Sequence, residues 1–157
     1  MKPHLRFKNF HGSWQKSTLY SITSIKSSDR KASDYEKYYD SGEYPVFDVK
    51  GEIANVKDYD SDKPYIAIVK DGSVGKIFLC PEKSSVISTI NYLYNKENID
   101  ILFLYHLIAH QISWEKYIVG TSIPHIYYKD YSLEQVYVPK YNEQKKIGQF
   151  FKELDSY

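Results

Sequence analysis

Tyr65-Ile-Ala-Ile-Val69, Lys76-Ile-Phe-Leu-Cys80 and Val86-Ile-Ser-Thr-Ile-Asn-Tyr-Leu-Tyr94 decide the fold. Each run is short, rich in β-branched and aromatic residues, and bounded by turn-forming residues, so each predicts a strand. Upstream, Tyr44-Pro-Val-Phe-Asp-Val49 has the same texture until Gly51 breaks it; downstream, Glu134-Gln-Val-Tyr-Val138 predicts a strand that Pro139 ends. Short connections between these runs predict a largely antiparallel β body.

Helical spacing marks three other places. Leu19, Ile22 and Ile25 predict a short helix within Trp14–Ile25, and Asp100–Trp114 predicts a buried helix with Asp100 near its N-terminus. The clearest is the last: Ile147, Phe150, Phe151 and Leu154 fall at i, i+3, i+4 and i+7, with Asn142 expected to cap the helix. Ser27–Ser41 is polar and charged and reads as a long loop, and Gly120-Thr-Ser-Ile-Pro124 as another. The expected fold is therefore α+β: a mostly antiparallel, curved β body over residues 1–141 with a few helices, followed from residue 142 to 157 by an amphipathic helix.

At 157 residues the chain suits one domain. A formal charge of +1 excludes a wholly basic nucleic-acid arm, yet the charge is uneven. Residues 1–39 carry eight basic and three acidic side chains and the remainder 13 and 17, so a phosphate-binding surface, if present, is local. One cysteine allows neither an internal disulfide nor a cysteine-based zinc site, which places the expected compartment in the cytoplasm. The apolar stretch Ile99–Ile112 is interrupted by Asp100, His106, His110 and Gln111, so no membrane span is expected. Seventeen tyrosines, each an apolar body with a hydrogen-bonding tip, point to a recognition surface.

Catalytic motifs fail on inspection. Gly72-Ser-Val-Gly-Lys76 has too short a glycine spacing for a phosphate loop and reads as a hairpin turn. Asp58, Asp60 and Asp62 begin like a calcium loop, but Lys63 stands where Gly is needed and Val69 where a bidentate Glu is needed. His106 and His110 have zinc-pair spacing without a third ligand, and Cys80 has no histidine partner. Glu143-Gln-Lys145 matches half of a nuclease metal site, but side chains two apart on a helix do not face one another. Neither a glycine-rich cofactor loop nor an Asn/Asp-Pro-Pro-aromatic motif is present, so no amino-methyltransferase activity is expected.

The order of the landmarks carries a resemblance. Leu5-Arg-Phe, Phe10-x-Gly12-x-Trp14 and Leu19, then Tyr44-Pro-Val-Phe, Gly51 and Ile66-Ala-Ile-Val-Lys-Asp-Gly-Ser-Val-Gly75 are followed by Ile101-Leu-Phe-Leu-Tyr105. Gly120-Thr-Ser-Ile-Pro-His-Ile126, Leu133-Glu-Gln-Val-Tyr-Val-Pro139, Glu143-Gln-x-Lys-Ile-Gly148, Phe151 and Leu154-Asp155 complete the series. Over nearly the whole chain this resembles the target recognition domain of type I restriction-modification specificity (S) subunits.

The resemblance implies a non-catalytic module of bacterial defence that reads one half of a bipartite double-stranded DNA target. The terminal helix would be the start of a spacer. No cofactor is implied in this chain: S-adenosylmethionine would sit in separate methyltransferase (M) subunits, and cleavage in restriction (R) subunits. S subunits of the family carry two such domains joined by long helices, whereas this sequence has one and stops where the spacer would continue. A half subunit or a fragment is expected; the stripe Ile147, Phe150, Phe151 and Leu154 would either supply a second specificity half by self-association or fold back on its own domain. The expected DNA contacts are Lys26, Ser27, Ser28, Arg30, Lys31, Lys50, Lys76, Thr121, Ser122 and His125, cationic or hydrogen-bonding side chains on or near loops. On the residues alone, a small metal-dependent nuclease and a protein-interaction module without DNA binding remain open as alternatives.

Overall fold

A computed structural model of the protein describes residues 1–35 and 39–156. In chain order its elements are β1 (Gln15–Thr18), α1 (Leu19–Ile22), β2 (Thr23–Lys26), a 3₁₀ turn at Ala32–Tyr35, β3 (Tyr39–Asp40), β4 (Tyr44–Asp48) and β5 (Gly51–Val56). Then come β6 (Tyr65–Val69), β7 (Ile77–Cys80), β8 (Ser85–Val86), β9 (Ile90–Asn95), α2 (Ile101–Gln111), a second 3₁₀ turn at Trp114–Tyr117, α3 (Tyr128–Tyr131), β10 (Gln135–Val138) and α4 (Tyr141–Asp155).

The central sheet is antiparallel, with strand order β2-β9-β6-β7. Alternation splits its side chains between two cores. Ile66, Ile68 and Leu93 face α1 and α2, where they meet Leu19, Ile22, Phe103, Leu104, Leu107 and Ile108. Tyr65, Ala67, Val69, Tyr92 and Tyr94 face the other way and pack with Val46, Ala54 and Val56 of a second sheet, ordered β3-β5-β4-β8. That second sheet is mixed: β4 and β5 are antiparallel, while the flanking pairs β3-β5 and β4-β8 are parallel. A ribbon of β1 and β10 joins the start of the chain to its end. The result is the expected α+β fold with a largely antiparallel β body.

Four local expectations are corrected. The helix expected from Leu19, Ile22 and Ile25 is a single turn; Thr18 and Ser21 form a capping box that starts it, but Thr23–Lys26 leaves to pair with β9. Cross-strand pairing outweighs the local spacing. Gly51 does not end a strand but begins β5, its φ of 132° completing the turn from β4. The run Val86–Tyr94 is two strands separated at Ser88 and Thr89. The N-cap of α4 is Lys140, not Asn142, and it makes no side-chain cap bond. Of the long loop read over Ser27–Ser41, residues 36–38 lie outside the described residues; the rest carries a 3₁₀ turn and the two-residue β3. Asp100 caps α2 as expected, accepting from the Phe103 amide at 3.0 Å.

Helix α4 lies against α2. Gly148 permits the approach, since a Cβ there would stand 2.8 Å from Leu102 Cβ and 2.9 Å from the Phe103 nitrogen. Beside it, the buried Gln144 accepts from the Asp100 amide at 2.9 Å and donates to the carbonyls of Asn98 and Pro139 at 3.1 and 3.0 Å. The buried Glu143 receives a bidentate ion pair from Arg6 at 2.7 and 2.8 Å, which ties the N-terminal segment to the same seam. Among the described residues, no helix is long and apolar enough to cross a membrane.

Candidate nucleic-acid interface

The ten expected contact residues come from four segments far apart in sequence. One short stretch, residues 87–89, binds three of them, and the fourth is fastened to the β6–β7 hairpin. The Ser88 amide donates to the Arg30 carbonyl at 2.7 Å, and the Ile87 amide donates to the Phe47 carbonyl at 3.2 Å, just before the turn that carries Lys50. On its other side the Thr89 carbonyl accepts from Lys70 at 2.9 Å, and the Lys70 carbonyl accepts from Ile126 at 3.0 Å. The Gly72 amide then reaches the Pro124 carbonyl at 3.0 Å. Main-chain hydrogen bonds therefore lace the loop after β2, the β4–β5 turn, the β6–β7 hairpin and the loop before α3 onto one end of the two sheets.

Within this end the side chains divide into two groups. Ser28 is buried, and its hydroxyl donates to the Val86 carbonyl at 2.5 Å. Arg30 chelates Asp60 through Nε at 2.8 Å and through a terminal nitrogen at 3.1 Å, pairs with Asp58 at 3.2 Å, and donates to the Tyr35 hydroxyl at 3.1 Å. Lys26 donates to the Asp60 carbonyl at 2.6 Å and lies 5.5 Å from the centre of the Tyr92 ring. His125 Nδ1 lies 2.6 Å from Asp71 Oδ1, and Lys70 engages the other oxygen of that carboxylate at 2.5 Å. These four side chains bond to other segments of the protein, Lys26 while remaining exposed, and help hold the end together. Ser27, Lys31, Lys50, Lys76, Thr121 and Ser122 are exposed, and the three lysines among them make no ion pair among the described residues.

Electrostatics fix the first group. Burial pushes the Asp60 carboxyl up, but hydrogen bonds from Arg30 and Tyr92 and the guanidinium charge outweigh it, and the pKa falls below the usual aspartate value. Asp71 behaves alike: burial opposes ionisation, and Lys70 and His125 more than compensate.

The residues singled out for other chemistry lie elsewhere. Glu143 of the Glu-x-Lys triplet is buried and its two oxygens are taken by Arg6, so it is closed to a metal ion. His106 is buried against Phe151, with ring centres 4.9 Å apart, and faces Asp155 at 3.7 Å. Cys80 is buried in the core between the sheets, which pushes its thiol up to about 12. Among the described residues, no group of three His, Cys, Asp or Glu side chains could hold a metal. The stripe expected at a subunit interface is divided: Ile147 packs on the domain core and Phe151 stacks on His106, while Phe150 and Leu154 are exposed.

Two things escaped the sequence reading. The backbone of residues 87–89 binds the loop after β2, strand β4 and the start of the β6–β7 hairpin, a role no side chain advertises. Asp58 and Asp60, weighed only as calcium ligands, are the partners of Arg30.

Residues 12–156 match the model of the family described as the type I restriction modification DNA specificity domain. The chain belongs to that family. Among solved structures it is similar to the type I restriction-modification S subunit from M. genitalium, with 22% identity and a TM-score of 0.76 over 99% of this chain and 42% of that one. It is also similar to a chain from a structure of type I R-M complex assembly and conformational transition, at 13% identity and TM-score 0.70 over 98% and 41% of the two chains. A third is the HsdS subunit from Thermoanaerobacter tengcongensis, at 13% identity and TM-score 0.64 over 99% and 40%. These identities speak to the fold. The chain spans about two fifths of the length of each of these structures. No curated protein matches it.

Proposed function

We propose that this chain is the half of a type I specificity subunit that reads one part of a bipartite double-stranded DNA target, and that it does so with the laced end of its two sheets. The observation that carries the reading is the convergence of Lys31, Lys50, Lys76, Thr121 and Ser122, all exposed, on one backbone-held surface in a family of DNA specificity domains. Exposed lysines on that surface contact phosphates and set register; hydroxyls between them reach base edges. Arg30 and Asp60 keep the loop after β2 in place and do not touch phosphate.

The family is one of specificity, not catalysis. In the proposed complex, separate M subunits hold S-adenosylmethionine and transfer the methyl group, R subunits cleave, and a second specificity half reads the other part of the target. The nuclease alternative gains no support from the site, because the triplet that suggested it is spent on Arg6.

The test is a fluorescence-anisotropy titration of duplex DNA by the full chain over a range of salt. Replacing Lys31, Lys50 and Lys76 together with Ala should weaken binding and flatten log K against log salt by about 0.9 for each phosphate that is no longer neutralised. Arg30→Ala should leave that slope unchanged while lowering thermal stability. An unchanged slope in the triple variant overturns this surface, and Mg²⁺-dependent cleavage of the duplex by the chain alone would restore the nuclease reading.

A further inference from the structure

The loop between the second 3₁₀ turn and α3 exposes three aliphatic side chains within six residues, Ile118, Val119 and Ile123, at 42, 48 and 58%. Such a cluster on a polar end needs a reason. It is not a loose loop. Val119 and His125 exchange both main-chain hydrogen bonds at 2.8 Å, closing a turn whose tip is Thr121-Ser-Ile123. Gly120 makes the turn possible: its φ is +93°, and a Cβ there would stand 2.6 Å from the Ile123 carbonyl oxygen. The stem is then fastened to the β6–β7 hairpin by Gly72 to Pro124, by Ile126 to Lys70, and by the His125–Asp71 contact at 2.6 Å.

Ile123 is the most exposed of the three. Pro124 restricts its backbone to the extended region, and its β-branch stiffens χ1, so the side chain leaves the tip in one direction. A rigid group loses little freedom on binding. Its neighbours narrow the choice of partner. Two hydroxyls, Thr121 and Ser122, precede it at the tip, and Lys76 is exposed on the hairpin to which the stem is fastened. Ile118 and Val119 lie at the stem, so within the tip Thr121–Ile123 the aliphatic side chain is Ile123 alone, beside two hydroxyls, where a protein interface would offer a wider apolar core. A DNA major groove instead is polar at its base edges, apart from one apolar group, the 5-methyl of thymine, and it is walled by phosphates.

We propose that Ile123 is a specificity-determining residue that reads the 5-methyl group of a thymine in the major groove, with Thr121 and Ser122 bonding to adjacent base edges. The inference rests on the DNA-reading function proposed above and assigns it a base and a chemical group.

The experiment selects full-chain binders from a pool of 30-base-pair duplexes with a randomised centre and sequences the bound fraction, for the wild type, Ile123→Ala and Ile123→Val. Both substitutions are at an exposed position, and matching circular-dichroism melts establish that the variants are folded. The wild type and Ile123→Val should demand a T·A pair that Ile123→Ala no longer demands. Replacing that thymine with uracil, which lacks only the methyl, should weaken the wild type about four-fold, the worth of one buried methyl group, and leave Ile123→Ala unchanged. The salt slope should be the same for all three. If the wild type and Ile123→Ala select the same motif with equal stringency, the proposal is overturned and the tip meets something other than a base. Uracil weakening both proteins equally overturns the assigned contact. If no protein enriches any motif, the failure is of the DNA-reading function itself.

Discussion

The laced end of the sheets and the α2–α4 seam are built differently. At the laced end, main-chain bonds join remote segments, Ser88 to Arg30, Lys70 to Thr89 and Ile126 to Lys70, and inward side chains such as Ser28 and Arg30 reinforce them. At the seam the bonds run through buried side chains: Gln144 to the backbone of Asp100, Asn98 and Pro139, and Glu143 to Arg6. A surface held by backbone can change its outward side chains without losing its shape. A seam held by side chains cannot. This is the arrangement a specificity module requires, because its reading residues must vary with the target while its attachment to the helices stays fixed.

The contrast is broken or upheld most sharply at Gln144. Gln144→Ala removes one acceptor and two donors from a buried site and leaves the Asp100 amide without its partner, so it should cost about 3 kcal/mol in urea unfolding. Lys31→Ala and Ser122→Ala at the laced end should each stay within about 0.5 kcal/mol. Equal costs at the two ends would refute the division. Gly148→Ala tests the same seam by overpacking: a methyl group pressed on Leu102 and the Phe103 backbone should cost about 1–3 kcal/mol.

Acid should open the two regions in sequence. Burial lowers the His106 pKa below its ordinary 6.5, with Asp155 partly offsetting this and His110 adding to it. A histidine depressed in the folded state favours folding above its unfolded pKa, and that contribution is lost as pH falls through the folded value. The seam therefore weakens as pH drops below about 6.5. Asp60 is depressed as well, so its contribution holds until pH falls beneath the ordinary aspartate value of 3.8. Thermal melts between pH 7.5 and 5 should show a falling Tm that His106→Phe flattens and Asp60→Asn does not. A slope unaffected by His106→Phe would remove this histidine from the acid response.

How much of this was legible follows the range of the interactions. Strands β6, β7 and β10 and helices α2 and α4 were readable because alternation and helical spacing are local properties of the chain. The Asp100 cap was readable for the same reason. Residues 19–25 misled because the pairing partner of β2 is β9, some seventy residues away, and nothing in Leu19, Ile22 and Ile25 reports it. The cations of the laced end were visible as residue types, but their convergence depends on contacts such as Arg30 with Ser88 and Lys70 with Ile126, which no periodicity encodes. Arg30 itself shows the limit: its charge suggests a phosphate, and only the fold brings Asp58 and Asp60 to it.

The smallest effect is expected on the outer half of the α4 stripe, where the sequence placed a subunit interface. Phe151 stacks on His106 and lies tilted against His110, so Phe151→Ala should cost about 1–2 kcal/mol, scaled down from a full core value because the ring is only partly buried. Phe150 is 44% exposed and touches the Phe7 ring edge-on at 5.6 Å, and Leu154 is 49% exposed. Neither contributes to the domain core. The double variant Phe150→Ser, Leu154→Ser should therefore shift stability by no more than about 0.5 kcal/mol. Two half-exposed side chains also fall far short of the roughly 800 Å² per partner that a stable interface buries. Light scattering at tens of micromolar should accordingly return a monomer for both the chain and this variant. A dimer abolished by the two substitutions would show that the outer half of the stripe already suffices for self-association, and a stability loss as large as that of Phe151→Ala would place both residues in the seam.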